Sequence, residues 1–202
     1  MLNRLRGFAT RVLTPLADAL LRRGVSPDAV TIVGTLVVVV VALWAFPTGH
    51  LLLGALLIGA FALTDSLDGV MARRAGRSGP WGAFLDSTLD RFGDAAIFAG
   101  LVLWFVGGGD DRLAAGLALA CLALGAIVPY ARARAEGLGM TASGGIAERA
   151  DRLVVVLVAT AAVGAGAPSV VLTVALGLLA VASAITVVQR ILMVRRQVQA
   201  AS

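Results

Sequence analysis

Five aspartates, Asp65, Asp68, Asp86, Asp90 and Asp94, fall within thirty positions in stretches otherwise apolar enough to lie in a membrane. Asp65 and Asp68 are three apart and Asp86 and Asp90 four apart, so each pair shares one face of a helix. A lone carboxylate at bilayer depth costs on the order of 3 kcal/mol on insertion scales, so a group of this size requires something positive among its members. Two short-linked antiparallel helices would bring the pairs together. Four convergent carboxylates suit a hard divalent cation, Mg²⁺ or Mn²⁺, rather than a thiolate or imidazole site. Cys121 and His50, the single cysteine and histidine, lie elsewhere in the chain and read as a core thiol and a loop residue. Between the pairs runs Gly76-Arg77-Ser78-Gly79-Pro80, a loop whose amides could approach a phosphate closely.

The elements that must hold these carboxylates follow from composition. Of 202 residues, 59% are hydrophobic and 14% charged, and the mean hydropathy is +0.93. Soluble chains carry about 25% charged residues. Soluble globular, disordered and disulfide-scaffold classes are thereby excluded, which leaves an all-α integral membrane protein. Its net charge of +5 comes from 17 basic residues, all arginine, against 12 acids. These arginines sit in the gaps between apolar runs and not on an aromatic-interleaved face, so their partners are anionic headgroups or phosphates and not nucleic acid.

Windows of about 20 apolar residues give six candidate spans, at about 28–47, 49–74, 83–107, 112–135, 150–166 and 168–192. Arginines gather before the first span, after the second, around the gap between the fourth and fifth, and at the C-terminal end. The positive-inside rule then places both termini in the cytoplasm of a multi-pass cell-membrane protein. Counting from Leu51 to Asp65 at 1.5 Å per residue gives about 21 Å, so the carboxylates belong to the cytoplasmic third of the bilayer. Trp44 and Trp104 fall near the outer ends of the first and third spans, as an aromatic belt would have them. Residues 1–25 carry leucines at helical spacing with arginines between, the pattern of an amphipathic helix on the cytoplasmic leaflet and not of a cleaved signal. Ser26-Pro27-Asp28 is a helix start signal for the first span. With no internal repeat, residues 1–202 read as one domain with its six-helix core over 26–196.

The run Asp65-x2-Asp68-Gly69-x2-Ala72-Arg73-x8-Gly82-x3-Asp86-x3-Asp90 resembles, position for position, the motif of the CDP-alcohol phosphotransferase family. The resemblance extends over about residues 26–190. It implies six transmembrane helices, a homodimer, and transfer of a phosphatidyl or similar group from a CDP-linked donor to an alcohol with release of CMP. It also implies that Asp65, Asp68 and Asp86 hold metal, two ions being expected, and that Asp90 is the general base and touches the second. Gly69, Arg73, Ser78, Gly79 and the start of the first span, Asp28, Ala29, Val30 and Thr31, would contact the CDP-diacylglycerol donor. The family has Pro-Asn-x-x-Thr where this chain has Pro27-Asp28-x-x-Thr31.

The acceptor is addressed by arginines. Tyr130-Ala131-Arg132-Ala133-Arg134-Ala135-Glu136 follows the fourth span, Glu148-Arg149-Ala150-Asp151-Arg152 enters the fifth, and Gln189-Arg190 lies near the end of the sixth. These segments resemble the basic pocket of the bacterial branch of the family that takes inositol 1-phosphate, with Arg132, Arg152 and Arg190 at the matching positions. Guanidiniums recognise a phosphate bidentately. Glycerol 3-phosphate is also a phosphorylated alcohol and stays open on physical grounds. Ordinary positive-inside topology, or a Glu148–Arg152 helix pair, would equally account for single arginines. Asp94, one turn beyond the motif with Arg91 nearby, reads as structural. From a different class, intramembrane acids also serve divalent-cation or proton transporters, which show paired repeats and broken helices that this sequence lacks.

Overall fold

The computed structural model describes residues 14–62, 64–76 and 79–201, and for residues 64–66 and 201 the backbone alone. All regular structure among them is helical. Residues 14–22 form α1, followed by α2 (Pro27–Ala45), α3 (Leu51–Ala62), α4 (Thr64–Arg74), α5 (Pro80–Val106), α6 (Arg112–Glu136), α7 (Arg149–Gly164) and α8 (Val170–Ala201).

Each boundary has a local cause. Ser26 caps α2, its hydroxyl accepting the amide of Ala29 at 3.2 Å, with Pro27 in the first turn. Pro27 has no amide to leave unpaired there. Pro80 starts α5 in the same way, behind an extended Gly79. Asp111 caps α6 through the amide of Ala114 at 3.0 Å. Glu148 and Asp151 form a capping box at the start of α7.

The helices lie within two or three residues of the predicted spans at most boundaries. Among the described residues, four segments are long and apolar enough to cross a membrane: Pro27–Ala45, Leu51–Arg74, Arg112–Glu136 and Val170–Ala200. The other two candidate spans differ for visible reasons. α5 has 27 residues but carries Asp86, Asp90, Arg91 and Asp94 between its start and just past its middle. α7 has 16 residues, about 24 Å at 1.5 Å each.

The core is built where α2, α5, α6 and α8 pack in sequence and α3 joins α2 to α7. Phe46, Ile58, Phe98, Leu101, Phe105, Leu172 and Leu176 meet there, each 0% or 1% exposed. Small residues let backbones close up, as is usual where helices gain nothing from expelling water. A Cβ at Gly100 would collide with the carbonyl of Ala42, and one at Gly164 with the backbone of Leu51 and Leu52. Outward-facing Leu36, Val40, Leu56, Leu119, Val158 and Leu178 are exposed, as lipid-facing positions would be. Cys121 is the expected core thiol, donating to the carbonyl of Leu176 at 3.3 Å.

The amphipathic segment expected over residues 1–25 is described from residue 14 onward; residues 1–13 lie outside the described residues. α1 packs through Ala17, Leu20 and Leu21 onto Leu67, Val70 and Met71 of α4. The Asp18 carboxylate pairs with Arg74 at 2.5 Å, which ties α1 to the helix that carries Asp68.

Candidate active site

A cavity of about 260 Å³ opens between the starts of α2 and α5 and the middle of α4, lined by Asp28, Thr31, Asp68, Gly69, Arg73, Gly79 and Asp86 among others. Six of those seven were singled out in the sequence for donor or metal contact on three separate helices, and Gly79 in the loop before α5. Convergence depends on the helix starts described above: Pro27 sets where α2 presents Asp28 and Thr31, and Pro80 sets where α5 presents Asp86.

Asp68 is 7% exposed and its Oδ2 accepts the Thr31 hydroxyl at 2.5 Å. That hydroxyl also approaches the carbonyl of Pro27 at 3.2 Å. At the mouth, the indole of Trp81 donates to Oδ2 of Asp28 at 3.0 Å. The acid that replaces the family's asparagine is thereby tied to the first turn of α5. The Arg73 guanidinium lies beside Gly69, where a Cβ would stand in ordinary contact, 3.5 Å from Nη1.

Asp90 is placed otherwise. Its Oδ1 accepts Arg149 Nη1 of α7 at 2.8 Å, and Oδ2 lies 3.5 Å from Arg91. Among the described residues no three carboxylate, imidazole or thiol groups gather around one point. The Asp65 side chain and the whole of Ser78 lie outside the described residues. The donor set that does converge, oxygen from Asp68, Asp86 and Thr31 with neither sulfur nor nitrogen, fits a hard divalent cation. Ala29 and Val30 belong to the first turn of α2, outside the cavity lining.

The three acceptor arginines occupy distinct settings. Arg152, 2% exposed, lies against α6 where a Cβ on Gly125 would stand 3.9 Å from its Nη2. It donates to the carbonyl of Ala147 at 3.2 Å and to Oδ2 of Asp94 at 3.4 Å. Arg190, 5% exposed, gives Nη1 to the carbonyl of Val128 at 2.5 Å and Nε to that of Gly144 at 3.1 Å. Arg132 faces outward and pairs with Glu136 at 2.8 Å, although its charge and that of Arg152 both act on Arg190. The loop between α6 and α7 is pinned over these residues. Thr186 accepts the amide of Ala147 at 3.2 Å, and a Cβ on Gly145 would collide with Thr186. Gln197 accepts the amide of Thr141 at 3.0 Å and donates to its carbonyl at 2.6 Å.

The cations beside Asp94 are not the sequence neighbour Arg91 but Arg149 at 3.1 Å and Arg152 at 3.4 Å, both on α7. Arg91 instead reaches toward Asp90. In the sequence Arg149 stands out only as one of the arginines around the gap between the fourth and fifth spans, although the spacings of Asp90 with Asp94 and of Arg149 with Arg152 suit two facing helix sides.

An all-helical membrane chain with a carboxylate and arginine cavity of this kind defines a class. The chain belongs to the CDP-alcohol phosphatidyltransferase family, whose model matches residues 24–194. It is 48% identical over 204 residues to the phosphatidylinositol phosphate synthase of Streptomyces avermitilis, covering 98% of this chain and 84% of that protein. The synthase of the same name from Cutibacterium acnes is 50% identical over 203 residues, covering 97% and 98%. Among solved structures, phosphatidylinositol phosphate synthase of Mycobacterium tuberculosis with CDP-DAG bound superposes with a TM-score of 0.88 at 43% identity, over 91% of this chain and 94% of that one. The same enzyme in complex with manganese and citrate gives 0.87 at 43% identity, over 90% and 88%.

Proposed function

We propose that this chain transfers the phosphatidyl group of CDP-diacylglycerol to inositol 1-phosphate, giving phosphatidylinositol phosphate and CMP. The observation that carries this reading is the single cavity in which Thr31, Asp68, Gly69, Arg73 and Asp86 meet, joined to relatives of that name at 48% and 50% identity.

The diphosphate of the donor would enter beside Arg73 and Gly79, with its diacylglycerol tails reaching the cavity sideways from the bilayer. Asp65, Asp68 and Asp86 would hold divalent metal, with Asp90 at the edge of the set; Mg²⁺ is the expected ion, with Mn²⁺ a substitute, and two ions are expected. When bound, the metal neutralises diphosphate charge as the leaving group departs. The chain itself would supply the rest. Thr31 orients Asp68, and Ser78 and Gly79 would contact the donor. Arg152 and Arg190, with Arg132 at the rim, would take the acceptor phosphate. Asp90 would accept the proton of the attacking hydroxyl as its oxygen bonds to the phosphatidyl phosphorus and the bond to CMP breaks. Positioning of this kind is most of the work in phosphoryl-type transfer.

We read the fold as six spans within one domain, α5 and α7 crossing as well. The charges of α5 then sit at the cytoplasmic end, where Arg149 and Arg152 at the start of α7 answer Asp90 and Asp94. Both termini and the cavity face the cytoplasm, and two chains associate as the family resemblance implies. Purified protein given CDP-diacylglycerol with inositol 1-phosphate or glycerol 3-phosphate tests the acceptor. CMP release is expected to be faster with inositol 1-phosphate, and the reverse order refutes the assignment.

A further inference from the structure

α7 begins with two arginines where a helix least favours them. Its first turn carries the positive end of the backbone dipole, yet Arg149 stands at the first position and Arg152 three residues on. The Glu148 and Asp151 capping box answers part of this charge. α5 answers the remainder. Asp94, 6% exposed, divides its oxygens, Oδ1 receiving Arg149 Nε at 3.1 Å and Oδ2 receiving Arg152 Nη2 at 3.4 Å. Arg149 then extends Nη1 to Oδ1 of Asp90 at 2.8 Å. Asp90, Arg149, Asp94 and Arg152 thus form one alternating chain of charge between the last carboxylate of the motif and a buried guanidinium.

That guanidinium has capacity to spare. Arg152 Nε is buried without a hydrogen-bond partner among the described residues, a donor that an anion arriving beside it would satisfy. Where the guanidinium lies is set by Asp94 on one nitrogen and by the carbonyl of Ala147 on another. Asp94 lies one turn beyond the motif and is not among the residues that line the cavity. Because each of its oxygens fixes a different arginine, displacing this one carboxylate moves both.

Resting on the reading of Arg152 as an acceptor-phosphate ligand, we propose that Asp94 is a positioning residue for the phosphorylated acceptor. It places Arg152 directly and orients Asp90 through Arg149, so that the acceptor's phosphate and its attacking hydroxyl are held in register.

The test compares wild type, Asp94→Asn and Asp94→Glu as purified full-length protein. The readouts are steady-state constants for both substrates and calorimetric binding of inositol 1-phosphate. Losing one charged hydrogen-bonding partner predicts, for Asp94→Asn, an acceptor KM and dissociation constant raised about tenfold, with the donor KM within about twofold of wild type. Asp94→Glu keeps the charge one methylene further out and is expected to recover part of the loss, remaining about threefold weaker than wild type for the acceptor. Wild-type acceptor binding in either variant, or equal increases in both Michaelis constants, overturns the proposal. If Asp94→Asn does not fold, Asp94→Glu decides alone, since a residue needed only for folding would leave its acceptor affinity at the wild-type value. Wild-type protein that turns over only another phosphorylated alcohol refutes the acceptor assignment instead, and the same comparison is then made with that alcohol.

Discussion

The Thr31 hydroxyl donates to Oδ2 of Asp68 across 2.5 Å and so joins the first turn of α2 to the middle of α4. Two walls of one cavity are held by this bond, and one oxygen of a candidate metal ligand is oriented by it. Thr31→Val keeps shape and volume while removing the donor. Leaving a largely buried carboxylate short of a hydrogen bond costs about 1.5 to 3 kcal/mol. We expect kcat/KM to fall about tenfold or more, with the metal concentration needed for half-maximal CMP release rising. Unchanged metal dependence would show that the bond only joins helices.

Asp90 is clamped by Arg149 at 2.8 Å. Asp90→Asn keeps a hydrogen-bond acceptor toward Arg149 but cannot take a proton. A lost general base lowers kcat by about 10²-fold to 10⁴-fold. CDP-diacylglycerol binding, measured by calorimetry, is expected to stay within about threefold. Turnover above a tenth of the wild-type rate would remove Asp90 from the proton transfer.

Arg190 spends two of its donors on the carbonyls of Val128 and Gly144. A fork of fixed geometry serves both and still faces an anion; an ammonium cannot do the same. Arg190→Lys is therefore expected to behave nearly as badly as Arg190→Ala, each raising the acceptor KM about tenfold while moving the donor KM much less. Full rescue by lysine would mean that charge alone matters at this position.

Chelation should separate catalysis from folding. α4 is held to α1 by Leu67, Val70 and Met71, and α5 to the core by Phe98, Leu101 and Phe105. None of these contacts involves the carboxylates. Treatment with EDTA is expected to abolish CMP release while leaving the far-ultraviolet circular dichroism unchanged, and either Mg²⁺ or Mn²⁺ should restore activity. A cooperative loss of helicity on chelation would show the metal to be structural.

Gly100 lies where α5 passes the backbone of Ala42. A side chain there has nowhere to go without separating α2 from α5, and overpacking costs about 1 to 3 kcal/mol. Gly100→Leu is expected to lower the melting temperature by several degrees in detergent and to lower activity along with it, since α2 and α5 both line the cavity. Melting at the wild-type temperature would mean that the two helices can move apart freely.

Much of this molecule was legible before folding was considered. Helix positions follow from hydrophobic length and from Ser26-Pro27 and Gly79-Pro80, because a membrane forces every backbone group into a helix whose ends need particular residues. The spacings of Asp65 with Asp68 and of Asp86 with Asp90 announced a carboxylate site, since residues three or four apart on a helix share a face, and the family resemblance added Gly69 and Arg73. Helical spacing cannot say which face meets which neighbour. Only the packed structure decided that Thr31 would grip Asp68, that Trp81 would hold Asp28, and that Arg149 and Asp94 would link Asp90 to Arg152. Those pairings join residues at least 37 positions apart. They depend on crossing angles and close approaches such as that of Gly100 to Ala42, which arise from the whole bundle and from no single segment of it.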